Sequence, residues 1–408
     1  MKAQATLESA VADIISEVRR SGDQALIKYT KLFDGVRHVN LTIPLADQAI
    51  SLSDELKEAI QTAADNITEF HKSQKENTGW VETMPGVSCW RRSTAIEKVG
   101  LYIPGGTAPL FSSLLMLAIP AKIARCKKIV VCTPPQPDGT IHPALVYTAQ
   151  LLGLNEIHAV GGAHAIAAMA YGTESIEKVY KILGPGNQYV TMAKQLVSSE
   201  VAIDFPAGPS EVAILADEHA DASFIAADLL SQAEHGEDSQ VVLATNSMKL
   251  VEKVQMAIES QLTHLPRREV ASKALSQSKL VVFDELDTAM DFINTYAPEH
   301  LLLNVGNADQ WAEQVTNAGS VFLGPYSPES AGDYASGTNH TLPTNGNARM
   351  YAGVSLDTFV KKITFQKITP EGLEQLGDAV EQMASAEGLE AHRRAVSIRR
   401  ESSKNSYE

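Results

Sequence analysis

Cysteine, positive charge and long apolar runs are all scarce in this chain, and each shortage removes a class of protein. The three cysteines, Cys89, Cys126 and Cys132, form neither an even disulfide framework nor a CxxC pair, so a reducing compartment, the cytoplasm, is expected. Lys and Arg number 34 against 49 Asp and Glu, a formal charge of −15 with no basic block. That balance argues against polyanion binding, and no nucleic-acid partner is expected. No uninterrupted apolar run of about eighteen residues occurs, so no membrane-spanning helix is predicted. The N-terminus, Met1 to Gly22, carries charges throughout and sets Leu7, Val11, Ile14, Ile15 and Val18 at helical spacing, which is not the pattern of a signal peptide.

What is present is a chain of 408 residues, long enough for two or three domains that fold without disulfide or metal staples. The first hundred residues read as mostly helical, with an amphipathic stretch from Ser53 to about Gln74 that places Leu56, Ile60, Ala63, Ile67 and Phe70 on one face. From Val99 the texture changes to short β-branched runs, Val99–Ile103, Lys128–Thr133, Glu156–Val160, Val179–Ile182 and Ala202–Asp204, separated by helical patterns. A second alternating set follows, from Glu211–Ala216 through a helix over Asp221–His235 to Leu301–Asn304 and Ser320–Leu323. This βαβ texture predicts an α/β protein with two doubly wound domains. Gly324 to about Asn347 reads as a long polar loop of the functional kind, and the tail from Thr369 as a charged helical region. The boundaries expected are a discontinuous α/β domain of 1–101 with 211–354, carrying much of the site, a nucleotide-binding domain of 102–210, and a helical extension of 355–408.

Four segments carry residues suited to chemistry. Gln232 and His235 are three apart on the last turn of a helix followed by Gly236, a residue suited to a C′ cap; both could face one cation, or the segment could be a surface helix end where an imidazolium favours the dipole. Glu299 and His300 follow Pro298 at the mouth of a strand, where they serve as an acid/base pair only if the backbone turns, and otherwise form a solvated loop pair. In Ser330–His340, Asp333 offers a hard oxygen and His340 an imidazole among small residues that let backbone approach a ligand. Glu387 and His392 lie on the charged tail, where a lone His is ordinarily solvated. Gln232, His235, Asp333 and His392 together form an N/O donor set that suits Zn²⁺, with Mn²⁺ or Co²⁺ as substitutes, although spacing alone does not unite three distant segments. His38, His71, His142, His158, His219 and His264 have no companion pattern and read as surface or packing residues.

No GxGxxG follows any predicted strand, so the usual dinucleotide fingerprint is missing. In its place stand three Gly-rich strand-to-helix turns, Gly100–Thr107, Gly161–His164 and Gly184–Asn187, each able to present backbone N–H groups to an anion.

The blocks VGLYIPGGTAPL, VGGAHAIAAMAYG, KILGPGNQYV, DFPAGPSE, LLSQAEHG, YAPEHL, SAGDYASGTNHTLPT and EGLEAH, in this order and spacing, resemble the histidinol dehydrogenase family over almost the whole chain. The resemblance implies two incomplete Rossmann-like domains, a C-terminal helical extension and a homodimer whose tails cross to the partner's active site. It implies oxidation of L-histidinol through the aldehyde to L-histidine with two NAD⁺ in succession, the last step of histidine biosynthesis. It further implies one zinc per subunit on Gln232, His235, Asp333 and, from the other subunit, His392. Substrate contacts carried over include Ser210, His340 and Glu387 beside those ligands and His300; NAD contacts are Tyr102, His164 and Asn187; Glu299 and His300 manage protons. Two departures stand out: His164 occupies a position where the family typically has Gln, and the chain begins later than usual, which is expected to weaken the dimer. The competing readings are a same-fold dehydrogenase for another alcohol such as a sulfonated propanediol, a zinc hydrolase, for which HExxH is absent, and a catalytically silent zinc-binding scaffold.

Overall fold

A computed structural model describes residues 2–405 except 47, 49, 77, 78, 106–108, 206 and 207. Part of the first Gly-rich turn (106–108) and two residues of the DFPAGPSE block (206–207) therefore lie outside the described residues. In chain order the strands are β1 (Thr42–Pro44), β2 (Val81–Met84), β3 (Val87–Ala95), β4 (Lys98–Tyr102), β5 (Lys128–Thr133), β6 (Glu156–Ala159), β7 (Lys181–Leu183), β8 (Ala202–Ile203), β9 (Glu211–Ala216), β10 (Gln240–Thr245), β11 (Lys279–Val282), β12 (His300–Asn304), β13 (Ser320–Leu323) and β14 (Val360–Ile368). Two compact units contain them: one of residues 1–74 with 96–359, the other of 75–95 with 360–408.

The first unit holds two sheets. One has the order β1-β6-β5-β4-β7-β8, the other β11-β10-β9-β12-β13. Apart from the antiparallel edge strand β1, every pairing is parallel. Counted from the first parallel strand of each, both follow the order 3-2-1-4-5 of a doubly wound fold and stop one strand short of its usual six, as the sequence texture and resemblance predicted. Alternation along β9 explains its fully buried pattern. Val212, Ile214 and Ala216 pack with Ile225 and Leu229 on one face, while Ala213 and Leu215 meet Met290 and Ile293 on the other.

The N-terminal segment packs on the first sheet. Val11, Ile14, Val18 and Leu26, from helices Lys2–Ser21 and Asp23–Phe33, share a core with Val130, Cys132 and Ile182 of the first sheet. The apolar stripe thus covers the nucleotide-type sheet. Within helix Asp54–Ser73, capped by Ser53, Ile60 and Ile67 are buried as the period required, but Phe70 is 42% exposed and His71 takes the inner position.

In the second unit β14-β3-β2 form an antiparallel sheet. The tail is helical from Thr369 and the N-terminal region mostly helical, as expected, but the extension expected to be helical over 355–408 also contains β14; β3 and β14, both rich in polar residues, become strands by pairing with each other across the sequence. Helices Pro370–Ala386 and Glu390–Asn405 then pack together, with Arg400 held by Glu374, Asp378 and Glu381.

One glycine ties the first sheet together. Gly184, after β7, has φ +123°, and a Cβ there would lie 2.0 Å from the carbonyl oxygen of Tyr102. Its N–H donates to Asp204 Oδ2 at 2.8 Å, and its carbonyl accepts from Lys194 Nζ at 2.9 Å. Lys194 and Asp204 are themselves a buried ion pair. Gly184→Ala is expected to lower stability by roughly 3 kcal/mol or more, since strain and backbone collision add. Chemical denaturation that shows a loss under about 1 kcal/mol would contradict this reading.

Candidate active site

Two sites emerge, one at the carboxyl ends of the first sheet and one at the amino ends of the second. At the first, Tyr102, His164 and Asn187 line a single cleft of about 640 Å³ with Gly162 and Gly186. It opens at the switch point between β4 and β7, where open α/β sheets bind ligands. Tyr102 is buried and its hydroxyl accepts from the Gly162 N–H at 3.0 Å. Asn187 caps helix Gln188–Val197, its Oδ1 accepting from Tyr189 and Val190 N–H. That leaves a helix N-terminus facing the cleft, the arrangement expected of an anion-binding turn.

His164 is buried between Tyr29 and Phe33, with ring centroids at 5.7 and 6.0 Å; its Nε2 is 3.3 Å from Thr30 Oγ1 and its Nδ1 has no partner. Burial pushes its pKa from 6.5 down to about 3. The unfolded chain therefore takes up a proton below pH 6.5 that the folded chain refuses. The stabilisation is complete above that pH and drains away as pH falls toward 3, by a few kcal/mol in all. His164→Gln is expected to flatten the acid limb of a plot of thermal midpoint against pH. Parallel limbs for the two proteins would refute it.

The second site is built where β9 and β12 begin. Helix Leu286–Tyr296 ends on Ala297, a buried residue in the left-handed conformation (φ 56°, ψ 63°), and Pro298 follows. This is the backbone turn that lets adjacent residues share a site. A Cβ at Gly319 would lie 2.5 Å from the Glu299 carbonyl oxygen, so only glycine permits this approach. Glu299 Oε2 accepts from the Glu211 N–H at 2.9 Å, and His300 Nδ1 lies 3.3 Å from the Glu211 carbonyl oxygen. The two side chains stand 3.8 Å apart, both buried, so the solvated-loop alternative is excluded.

Around His300 the chain gathers carboxylates. Asp333 Oδ1 is 3.5 Å from its Nε2 and Glu329 Oε1 is 3.8 Å from its Nδ1. Burial works against the imidazolium, yet Glu299, Asp333 and Glu329 outweigh it and hold the His300 pKa above its ordinary value. Burial raises Glu299 out of the ordinary carboxylate range, and Glu329 well above it. His340, lowered mainly by burial, bridges Ser113 Oγ at 3.1 Å and the Asp333 carbonyl oxygen at 2.8 Å. Ser210 directly precedes Glu211, and its carbonyl accepts from Gln240 N–H.

Asp333 reaches the other way to His235, 3.9 Å distant. Ligand atoms of His235, Glu329 and Asp333 all lie within 4.8 Å of one another, a candidate metal cluster among the described residues. Gln232 is buried with both amide atoms unpartnered, and desolvation keeps His235 neutral by lowering its pKa. An orphaned amide, a neutral imidazole and a carboxylate fit a divalent cation. The local geometry corrects one detail: the helix is Ala222–Ala233 with Glu234 as C-cap, so His235 lies just beyond it, and Gly236 does not adopt a left-handed cap. Glu387 and His392 lie exposed in the second unit, where Glu387 is the C-cap of Pro370–Ala386 and His392 sits in the first turn of Glu390–Asn405.

Sequence reasoning missed Glu211, Glu329 and Asp228. Glu329 precedes the Ser330 block by one residue. Asp228 precedes Gln232 by one helical turn within the apolar run IAADLLSQA, and burial lifts its pKa to about 7. A lone acid on an apolar helix was the available signal.

The family model described as histidinol dehydrogenase matches residues 1–400. The chain is 58% identical to "Histidinol dehydrogenase" of Bacteroides thetaiotaomicron, over 97% of this chain and 93% of that one. It is 53% identical to "Histidinol dehydrogenase, chloroplastic" of Arabidopsis thaliana, over 96% and 85%. The crystal structure of histidinol dehydrogenase from Elizabethkingia anophelis superimposes with a TM-score of 0.94 at 53% identity, covering 98% of this chain and 93% of that one.

Proposed function

The chain belongs to the histidinol dehydrogenase family, and from that premise we propose that it oxidises L-histidinol through L-histidinaldehyde to L-histidine, reducing two NAD⁺ in succession, the last step of histidine biosynthesis. The observation that carries the reading is the buried Glu299–His300 pair beside Asp333 and His235, on a chain whose first sheet offers a separate nucleotide-type cleft.

In this reading His300 accepts the alcohol proton as hydride leaves the substrate carbon. The base must be neutral, and the carboxylates around it favour its cation; a metal ion held by Asp333 would offset part of that charge. Glu299, shifted upward by burial, is suited to take a proton from the water that adds to the aldehyde. Its hydrogen bond from Glu211 N–H fixes its direction. Tyr102, His164 and Asn187 hold NAD⁺, which accepts the hydride. Zinc would be held by Gln232, His235, Asp333 and His392 of the partner subunit, and would supply positioning of the substrate's imidazole and amine nitrogens. Ser210, His340 and Glu387 complete the substrate contacts. Exposure of Glu387 and His392 on the tail supports their use in a second copy, hence a homodimer with exchanged tails. The three unpaired cysteines support a cytoplasmic enzyme, and no helix among the described residues is long and apolar enough to cross a membrane.

The alternatives, a same-fold dehydrogenase for another alcohol and a zinc hydrolase, are not favoured. Relatives more than half identical along nearly the whole chain carry the histidinol dehydrogenase name. The test is stoichiometric: L-histidinol supplied in limiting amount to the zinc-loaded protein yields two NADH for each histidine formed. No NADH, or one NADH with aldehyde released, would reject the proposal.

A further inference from the structure

In a dinucleotide-binding doubly wound sheet, an acidic residue about twenty residues beyond the phosphate turn ordinarily accepts hydrogen bonds from the adenosine ribose. It sits where the second parallel strand ends. Here that strand is β5, which ends at Thr133 and runs straight into Pro134 and Pro135. The next acid, Asp138, is exposed and spends its carboxylate on the Thr140 N–H and hydroxyl. The strand does not provide the expected acid.

A different element brings one. Asp34, the C-cap of helix Asp23–Phe33, lines the cleft that holds Tyr102 and Asn187. It also lines an adjoining hollow of about 320 Å³ walled by Thr133, Pro134 and Pro135. The two hollows share Asp34, Pro104, Gly105 and Pro134, so one adjoins the other, the first at the β4–β7 switch point and the second at the end of β5. Asp34 Oδ2 is buried without a hydrogen-bond partner. Among the described residues no Lys or Arg lines either hollow.

We infer that Asp34 accepts the adenosine ribose hydroxyls and thereby makes the enzyme select NAD⁺ over NADP⁺. The inference rests on the NAD reading above and adds to it the residue that discriminates. A ribose diol offers O–H donors to a carboxylate whose Oδ2 has no partner. A 2′-phosphate at the same place sets like charges together, with no Lys or Arg among the described lining residues to offset them. Burial pushes the Asp34 carboxyl up to about 6, so it is ionised at neutral pH. The placement also gives the N-terminal helices a task beyond covering the sheet: they deliver the acid that the Pro-rich turn after β5 cannot.

The test is equilibrium titration of the full-length protein with NADH and with NADPH, read by nucleotide fluorescence and so independent of turnover. Unaltered protein should bind NADH more tightly than NADPH. Asp34→Ala should weaken NADH binding roughly tenfold, the loss expected for hydrogen bonds to a charged acceptor. Asp34→Asn, nearly isosteric, should weaken NADH less and strengthen NADPH, moving the ratio toward parity. NADH affinity and selectivity unchanged in both variants would overturn the inference. Failure of the unaltered protein to bind either nucleotide would instead overturn the NAD reading, and the inference with it.

Discussion

His300→Asn is expected to lower the turnover of L-histidinol by about a hundred- to ten-thousand-fold, the range lost when a positioned general base is removed. Among the described residues His300 is the imidazole set between Glu299, Glu329 and Asp333. Steady-state NADH formation, with zinc content and circular dichroism matched to the unaltered protein, is the measurement. Activity within threefold of the original would remove His300 from the chemistry. Glu299→Gln makes a sharper comparison. It keeps the hydrogen bond from Glu211 N–H but cannot accept a proton from water, so the first oxidation should survive better than the second and aldehyde should accumulate. Equal loss of both steps would assign Glu299 a positioning role instead.

His235→Ala, or prolonged treatment with a chelator, should reduce bound zinc from about one per chain to a trace and abolish turnover. NADH binding should persist, because Tyr102, His164 and Asn187 stand at the ends of a different sheet from His235 and Asp333. Elemental analysis and nucleotide titration on the same sample separate the two effects. Zinc retained at full occupancy in His235→Ala would show that the ion sits elsewhere, and loss of NADH binding would show that the two sites are not independent. Neutral His235 and the unpartnered amide of Gln232 are what this expectation rests on.

Sequence alone determined the elements whose signal is local. Short apolar runs gave the strands that became β4, β5, β9, β10 and β12, because a strand covered by helices on both faces must be apolar throughout. The sequence blocks placed Glu299, His300, Asp333 and His235, residues whose side chains the fold then brought to one place. Tertiary structure decided everything that depended on contacts between distant segments. Strands β3 and β14 are half polar, and neither reads as a strand until the other pairs with it. Glu211, Asp228 and Glu329 look like ordinary surface acids in a linear chain, and become a buried cluster only because β9, β12 and their helices converge there. Asp34 lies a hundred residues before the strand end it serves. Side-chain periodicity reports which face of an element is covered, but which other segment covers it is set by strand order, and strand order leaves no mark in local sequence.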